Sequence, residues 1–136
     1  MNTGFLRGTP LRIKGGDCYL EHLAPNDRIM AFNSDENISE TRVFSITPDN
    51  IEYVVEIETE YGFFQAGEDV EVLTCEGILP LSQLTSENIV LRLDEYGSKQ
   101  YIPIVSVKRY NVLAPVFNIE LQDFAGFFAK GLFVYM

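Results

Sequence analysis

The sequence contains very few of the side chains that form disulfides or bind transition metals. Its 136 residues include two cysteines, Cys18 and Cys75, and one histidine, His22. These residues form no CxxC pair and no Cys/His cluster, which excludes an ordinary structural zinc site. We therefore expect no metal and no cofactor. We expect both cysteines to be buried free thiols, with a disulfide or a reactive thiol as the less favoured alternatives.

Basic residues are also scarce. Ten lysines and arginines stand against 20 aspartates and glutamates, which gives a net charge of −10 and a pI near 4.4. Nucleic acids and anionic lipid surfaces are bound through basic patches. The composition therefore argues against nucleic acid and membrane as partners, and nothing in the sequence indicates a small-molecule substrate.

Long hydrophobic runs are missing as well. The longest apolar stretch, from Phe124 to Phe133, is interrupted by Gly126, Lys130 and Gly131. It falls short of the roughly 20 residues that a membrane helix needs. The first residues contain one arginine and no apolar segment, so they do not form a secretory signal. We expect a cytoplasmic protein, or a virion component if the gene belongs to a phage.

What the sequence does contain is typical of one globular domain. Hydrophobic residues make up 46% and charged residues 22% of the chain. A chain of this length buries roughly two thirds of its unfolded surface, which is enough for a core without disulfides or metals. We therefore expect a single domain over residues 1–136.

Short stretches rich in β-branched and aromatic residues alternate with turn residues along the whole chain. The pattern from Ile51 to Tyr61 places Val55 and Ile57 on one face of a strand, and Gly62 then turns the chain into a hairpin. Other strands are predicted at 11–14, 28–32, 41–46, 70–74, 89–93, 101–110, 116–122, 127–130 and 133–136. A turn is predicted at 47–50, and single helical turns at 20–22 and 81–83. This pattern predicts an all-β fold of many short strands.

An internal repeat relates residues 11–29 to residues 72–90. At this spacing Gly16 aligns with Gly77, Leu20 with Leu81, Leu23 with Leu84, Asp27 with Asn88, and Ile29 with Val90. Each copy contains a strand, a glycine turn, an L-x-x-L element and a second strand. The repeat predicts two related β-subdomains packed about a pseudo-twofold axis.

The order of these segments resembles the Hint domain, the hedgehog/intein self-processing fold. Gly4 to Leu11 is similar to the family's opening Cys-Phe-x-x-Gly-Thr-x-Val, and 17–29 to its segment ending Leu-x-x-Gly-Asp-x-Val. Residues 53–62 and 67–77 are similar to the strand before the Thr-x-x-His block and to that block. Residues 116–121 and 127–136 are similar to the closing Tyr-Asn-Ile-Glu-Val and Asn-Phe-Phe-Ala-Asn-Gly-Leu-Val-His-Asn. The resemblance implies a Hint-like, pseudo-twofold horseshoe.

The same resemblance assigns self-splicing roles to six positions that carry no suitable side chain here. They are Gly4 in place of the Cys or Ser nucleophile, Gly67 and Val70 in place of the block's Thr and His, Ala125 in place of a further His, and Tyr135 and Met136 in place of the terminal His-Asn pair. Acyl transfer needs a nucleophile and proton donors, so the resemblance implies that no catalytic residue remains. Only Met1, Asn2 and Thr3 precede Gly4, so we also expect almost nothing to be processed.

Other chemical candidates are weaker. His22 has no Ser or Cys partner at a recognisable spacing, and a structural role is favoured over a catalytic one. An acidic region is formed by Glu56, Glu58, Glu60, Glu68, Asp69 and Glu71. A solvated face is favoured there over a cation site or a contact with a basic partner. The aromatic C-terminus, with Phe124, Phe127, Phe128, Phe133 and Tyr135, is expected to fill the core, with an interface as the alternative.

These observations lead to a function hypothesis. We expect a non-catalytic Hint-fold module that binds other protein chains as a small subunit of a larger assembly, such as a phage virion or tail baseplate. One alternative is an enzyme, either a Hint domain with residual self-processing or a hydrolase that uses the acidic region. The other alternative is an acidic inhibitor or regulator that occupies a basic site on its target.

Overall fold

The computed structural model of the chain describes residues 1–135. Within this range the strands are β1 (Pro10–Ile13), β2 (Gly16–Tyr19), β3 (Arg28–Phe32), β4 (Ile38–Thr59), β5 (Gly62–Gly67), β6 (Glu71–Thr74), β7 (Gly77–Pro80), β8 (Ile89–Leu93), β9 (Lys99–Pro103), β10 (Ser106–Leu121), β11 (Gly126–Ala129) and β12 (Leu132–Tyr135). The helical elements in this range are the short 3₁₀ turns Leu20–His22 and Leu81–Gln83. None of the helices described is long and apolar enough to cross a membrane. The all-β prediction is confirmed.

The strands pair antiparallel in the order β10-β4-β3-β11-β12-β6-β8-β9, with β1, β2, β5 and β7 attached beside this path. The pairing of β4 with β10 extends from Glu58 opposite Ser106 to Val43 opposite Leu121. These two strands have 22 and 16 residues, so the expectation of uniformly short strands is wrong for them. The long ribbon arises because segments predicted as separate strands run into one another.

The predicted turn at residues 47–50 is also wrong, because β4 continues straight through Pro48. This proline lies opposite Phe117 of β10. Both backbone groups of Phe117 point away from β4: its N–H donates to Phe5 O at 2.9 Å, and its C=O accepts the N–H of Phe5 at 3.0 Å. Pro48 therefore occupies a non-hydrogen-bonded position, where a missing N–H removes no ladder hydrogen bond. Pro115 lies opposite Asn50 and two residues before Phe117 in β10, so it also occupies a non-hydrogen-bonded position.

The elements of the first half recur 61 residues further along the chain. The strands β1, β2 and β3 correspond to β6, β7 and β8, and the two 3₁₀ turns correspond to each other. The first part of β4 corresponds to β9 and the rest to β10. The hydrogen bonds recur too: the N–H of Leu20 donates to Thr9 O at 3.0 Å, and the N–H of Leu81 donates to Val70 O at 2.9 Å. The two halves therefore share these hydrogen bonds as well as element order, although the φ angles of their turns differ at Gly8, Gly15 and Asn26.

The main core lies between these two halves. Its largest members are Phe5, Leu11, Leu20, Ile29, Val55, Ile57 and Phe64 from the first half, and Leu81, Val90, Ile102, Ile119, Phe127 and Leu132 from the second. A second cluster of Phe32, Leu91, Leu93, Phe128 and Phe133 lies on the other face, because neighbouring residues of a strand point to opposite sides. Phe127, Phe128 and Phe133 are fully buried, as expected for core-filling aromatics, whereas Phe124 and Tyr135 are only half-buried.

Candidate functional site

A cleft of about 360 Å³ opens between the N-terminal segment, the start of β6, the end of β10 and the end of β12. It is lined by Gly4, Val70 and Tyr135, which are three of the positions given splicing roles by the resemblance. Tertiary pairing is what brings these distant positions together, through the contacts of β12 with β6 and of Phe5 with β10. This cleft is the candidate functional site.

The N-terminal segment is fixed along one wall of the cleft. The N–H of Asn2 donates to Asp69 Oδ2 at 2.6 Å, and the N–H of Asp69 donates to Asn2 O at 2.9 Å. The N–H of Gly67 donates to Gly4 O at 3.0 Å. A side chain on Gly67 would collide with the Asn2 carbonyl, so this close approach requires glycine. The threonine of the resembled pattern has no room at this position.

Gly4 is equally restricted. Its φ is +125°, in the region that L-residues with a side chain rarely adopt. A Cβ on Gly4 would lie 2.7 Å from Val116 Cγ2 and 2.9 Å from Val116 Cβ, both on rigid β10. A cysteine or serine could stand here only if β10 or the N-terminal segment moved.

The remaining positions of the resembled splicing set carry no acid or base for acyl transfer. Val70 is 4% exposed and belongs to the main core. Ala125 does not line the cleft, and its N–H donates to Phe32 O at 3.0 Å. Met136 lies outside the described residues.

Tyr135 forms a wall of the cleft at the end of β12. It lies opposite Glu71 in β6, and its ring packs edge-on against Phe32 at 5.1 Å. Burial, together with the negative charges of Glu36 and Glu71, raises the pKa of Tyr135 above its usual value. A phenol with a raised pKa stays neutral at physiological pH, so it is a poor general base there.

The charged side chains that line the cleft are all acidic, and Met1, which carries the positive N-terminal ammonium group, also lines it. Asp69, Glu71 and Glu120 contribute carboxylates, and no lysine, arginine or histidine of residues 1–135 lines it. Sequence reasoning identified Asp69 and Glu71 only as part of a broader acidic region and did not single out Glu120 or its neighbours Asn118 and Ile119. The signal that could have identified them is their position in residues 116–121, which resemble the family's closing Tyr-Asn-Ile-Glu-Val segment.

The rest of the acidic region is not gathered into one site, because its members have different partners. Glu68 forms an ion pair with Arg109 Nη2 at 2.6 Å, and the same guanidinium stacks on the ring of Tyr53 at 4.3 Å. Glu58 accepts a hydrogen bond from Ser106 Oγ at 3.2 Å, and Gln65 donates to Glu56. Within residues 1–135 no three metal-binding side chains come together.

His22 and the cysteines lie away from the cleft. His22 is exposed on the first 3₁₀ turn, with its ring edge-on to Tyr19 at 6.0 Å. Both thiols are free, but the expectation that they are buried is wrong: Cys18 is partly buried and Cys75 is exposed. Cys75 is exposed because it occupies the tight turn between β6 and β7, where side chains point to solvent.

Solved structures with this fold include inteins and an intein-like domain. The chain is similar to a DnaB intein from Synechocystis sp. PCC 6803, with 18% identity over 98% of each chain and a TM-score of 0.83. It is similar to a bacterial intein-like domain from Clostridium thermocellum, with 15% identity over 99% of each chain and a TM-score of 0.85. The gp41-1 intein aligns over 100% of both chains, with 12% identity and a TM-score of 0.78.

No protein-family model and no curated protein sequence matches the chain. The structural likeness nevertheless covers nearly the whole chain, and it confirms the Hint-like fold that the sequence predicted. At these identities the likeness concerns the fold alone.

Proposed function

We propose that this chain is a Hint-fold module that performs no self-splicing and binds other protein chains. The observation that carries the first half of the proposal is the geometry at Gly4. Its positive φ and its contact with Val116 leave no place for the nucleophilic side chain that acyl transfer requires.

The surroundings of the Thr3–Gly4 peptide bond support the same conclusion. Self-processing would need a side chain to attack the Thr3 carbonyl and an acid to protonate the Gly4 nitrogen. Asp69 is a carboxylate of the cleft that bonds to the backbone next to this peptide bond, and it already accepts the N–H of Asn2. Asp69 therefore holds the backbone on the N-terminal side of this bond in place.

The proposal of protein binding rests on the surface. Several large apolar side chains of the chain are exposed to solvent. They are Tyr96 at 86%, Leu113 at 72%, Tyr101 at 66% and Phe44 at 62%. Three of the four are aromatic, and aromatic residues are enriched at the centres of protein–protein contacts. Membership of a virion or tail assembly, and the alternatives of residual self-processing and of an inhibitor, stay predictions.

Intact-mass spectrometry tests the catalytic half of the proposal. The protein is incubated for days with and without a thiol, as the wild type and as Gly4→Cys. We expect an unchanged mass in every sample. Loss of the first three residues or formation of a thiol adduct would overturn the proposal.

A matched control separates chemistry from misfolding. Gly8 also has a positive φ, +89°, but a Cβ there meets no atom within 4 Å. Gly8→Cys should therefore show backbone strain alone, whereas Gly4→Cys adds the collision with Val116. Circular dichroism on both variants establishes that each is folded before its mass is interpreted. Light scattering and native mass spectrometry test the assembly half, and a strict monomer that binds no protein would count against it.

A further inference from the structure

The cleft contains an unpaired sheet edge. Phe117 directs its N–H and C=O away from β4 and towards Phe5. Residues two apart in a strand direct these groups to the same side, so the N–H and C=O of Ile119 also point away from β4, into the cleft. Within residues 1–135 the Ile119 backbone forms no hydrogen bond on that side. The N-terminal segment leaves this edge free because Asn2 pairs with Asp69 instead.

The floor beneath this edge is apolar. Phe5, Val70 and Ile119 line the cleft, and each is no more than 5% exposed. Such a floor favours an occupant that brings apolar side chains as well as main-chain hydrogen bonds.

The rim of the cleft is negative. Glu71 and Glu120 are exposed on opposite sides of it, on β6 and β10, and neither forms an ion pair within residues 1–135. Within residues 1–135 only Glu21, Asp17, Glu36 and Glu68 have a cationic partner, so Glu71 and Glu120 resemble most acidic residues of the chain in having none. What distinguishes these two carboxylates is their place beside a free strand edge and an apolar floor, in a cleft whose one cationic lining group among the described residues is the amino terminus at Met1.

We propose that this cleft binds an extended segment of another protein, which pairs with the backbone of Ile119 and places lysine or arginine side chains beside Glu71 and Glu120. The inference rests on the proposed function, because a cleft that performed splicing would hold the chain's own junction. An acidic segment would be repelled by the rim, and a simple cation would leave both the apolar floor and the free edge unused.

Fluorescence anisotropy with short synthetic peptides tests the proposal. The probe is a labelled peptide of alternating valine and lysine, compared with one in which glutamate replaces lysine and with one whose backbone nitrogens are methylated. We expect the lysine peptide to bind. We expect the glutamate peptide not to bind, and methylation to weaken binding by about tenfold, because the main-chain donors are lost.

Two double variants locate the binding site. Glu71→Gln with Glu120→Gln should weaken binding by about tenfold, the scale of two partly screened charge pairs. Glu60→Gln with Glu87→Gln changes the net charge equally, at exposed residues outside the cleft, and should leave binding unchanged. An equal loss in both pairs, or equal binding of the methylated peptide, would overturn the proposal, since only general charge attraction would remain.

The two proposals fail in different ways. Self-cleavage in the intact-mass experiment would overturn the proposed function whatever the peptides do. An unchanged mass, with no preference for the lysine peptide, would overturn only the assignment of this cleft.

Discussion

Residues 6–9 and residues 67–70 close the same hydrogen bond in the two halves of the molecule, but they differ in backbone and in their first residue. Gly8 has a φ of +89°, whereas its counterpart Asp69 has no positive φ. The N–H of Thr9 donates to Leu6 O at 3.2 Å, and the N–H of Val70 donates to Gly67 O at 3.1 Å. Leu6 packs its side chain against the small cluster around Ile51. Gly67 has no side chain, and the backbone of Asn2 and Thr3 occupies the space where its Cβ would lie. The same turn hydrogen bond therefore borders a packed surface in one half and a cleft wall in the other.

The following loops also share a hydrogen bond but differ in backbone and in residues, since Asn26 has a φ of +76° and its counterpart Glu87 has no positive φ. Asp27 accepts the N–H of Ala24 at 2.9 Å, and its counterpart Asn88 accepts the N–H of Thr85 at 2.8 Å. Asp27 is exposed, whereas Asn88 is 8% exposed. Burying a charge is costly and burying a hydrogen-bonded amide is not, which explains which residue stands in which half.

The largest expected effect is that of Gly67→Ala. The added methyl meets the Asn2 carbonyl, which is held by Asp69 and cannot yield easily. We expect a loss of about 3 kcal/mol in the free energy of unfolding, measured by urea denaturation. The counterpart Leu6→Ala removes a half-buried side chain and should cost about 1 kcal/mol. Equal losses would show that the crossing segment does not constrain Gly67.

The exchange of Asn88 for Asp comes next. A carboxylate there would be buried beside Glu76, whose Oε1 now accepts from Asn88 Nδ2 at 3.5 Å. We expect a loss of about 2 kcal/mol at neutral pH, which shrinks in acid as the new carboxyl is protonated. The mirror change, Asp27→Asn, should alter stability by less than about 0.5 kcal/mol. Thermal or urea unfolding of both variants across pH decides the matter, and similar costs at the two sites would contradict it.

A smaller effect on stability is expected at the equivalent positions where both halves have a residue with a positive φ. Glu36 has a φ of +63° and its counterpart Gly97 a φ of +83°. No atom lies near a Cβ on Gly97, so Gly97→Ala should cost about 1 kcal/mol of backbone strain alone. Glu36→Gly relieves that strain but loses the ion pair with Lys99 at 3.4 Å, so its net effect on stability should be near zero. A neutral Gly97→Ala in chemical denaturation would refute this account.

The smallest effect concerns pH. Hydrogen bonding lowers the pKa of Glu21 below its ordinary value of 4.5, first from its own backbone and then from the Gly8 N–H at 2.8 Å. A lowered folded-state pKa stabilises above the ordinary value, and the contribution is lost as pH falls through the folded value. Glu21→Gln should therefore reduce the acid sensitivity of unfolding below about pH 4.5. Its counterpart Ser82 has no titratable group, so Ser82→Ala should leave the pH profile parallel to that of the wild type.

Elements defined by local pattern were predictable from the sequence. The bounds of β3 and β8, and of both 3₁₀ turns, agree with the expectation, because alternating apolar residues and glycine turns determine them locally. The continuity of β4 through Pro48 was not predictable, because it depends on Phe117, which lies opposite the proline, directing its hydrogen bonds to Phe5. The strands β2 and β7 were missed because their short polar sequences become strands only through hairpin pairing with β1 and β6.

The sequence alone determined that this is a small, acidic, all-β chain with a Hint-like order of segments, and that Gly4 and Val70 carry no reactive group. Composition and local pattern are enough for such conclusions. Only the tertiary structure decided that Gly4 has no room for a side chain and that Glu71 and Glu120 border one cleft beside the free edge of Ile119. These features depend on pairings between residues far apart in the chain, which local sequence patterns do not specify.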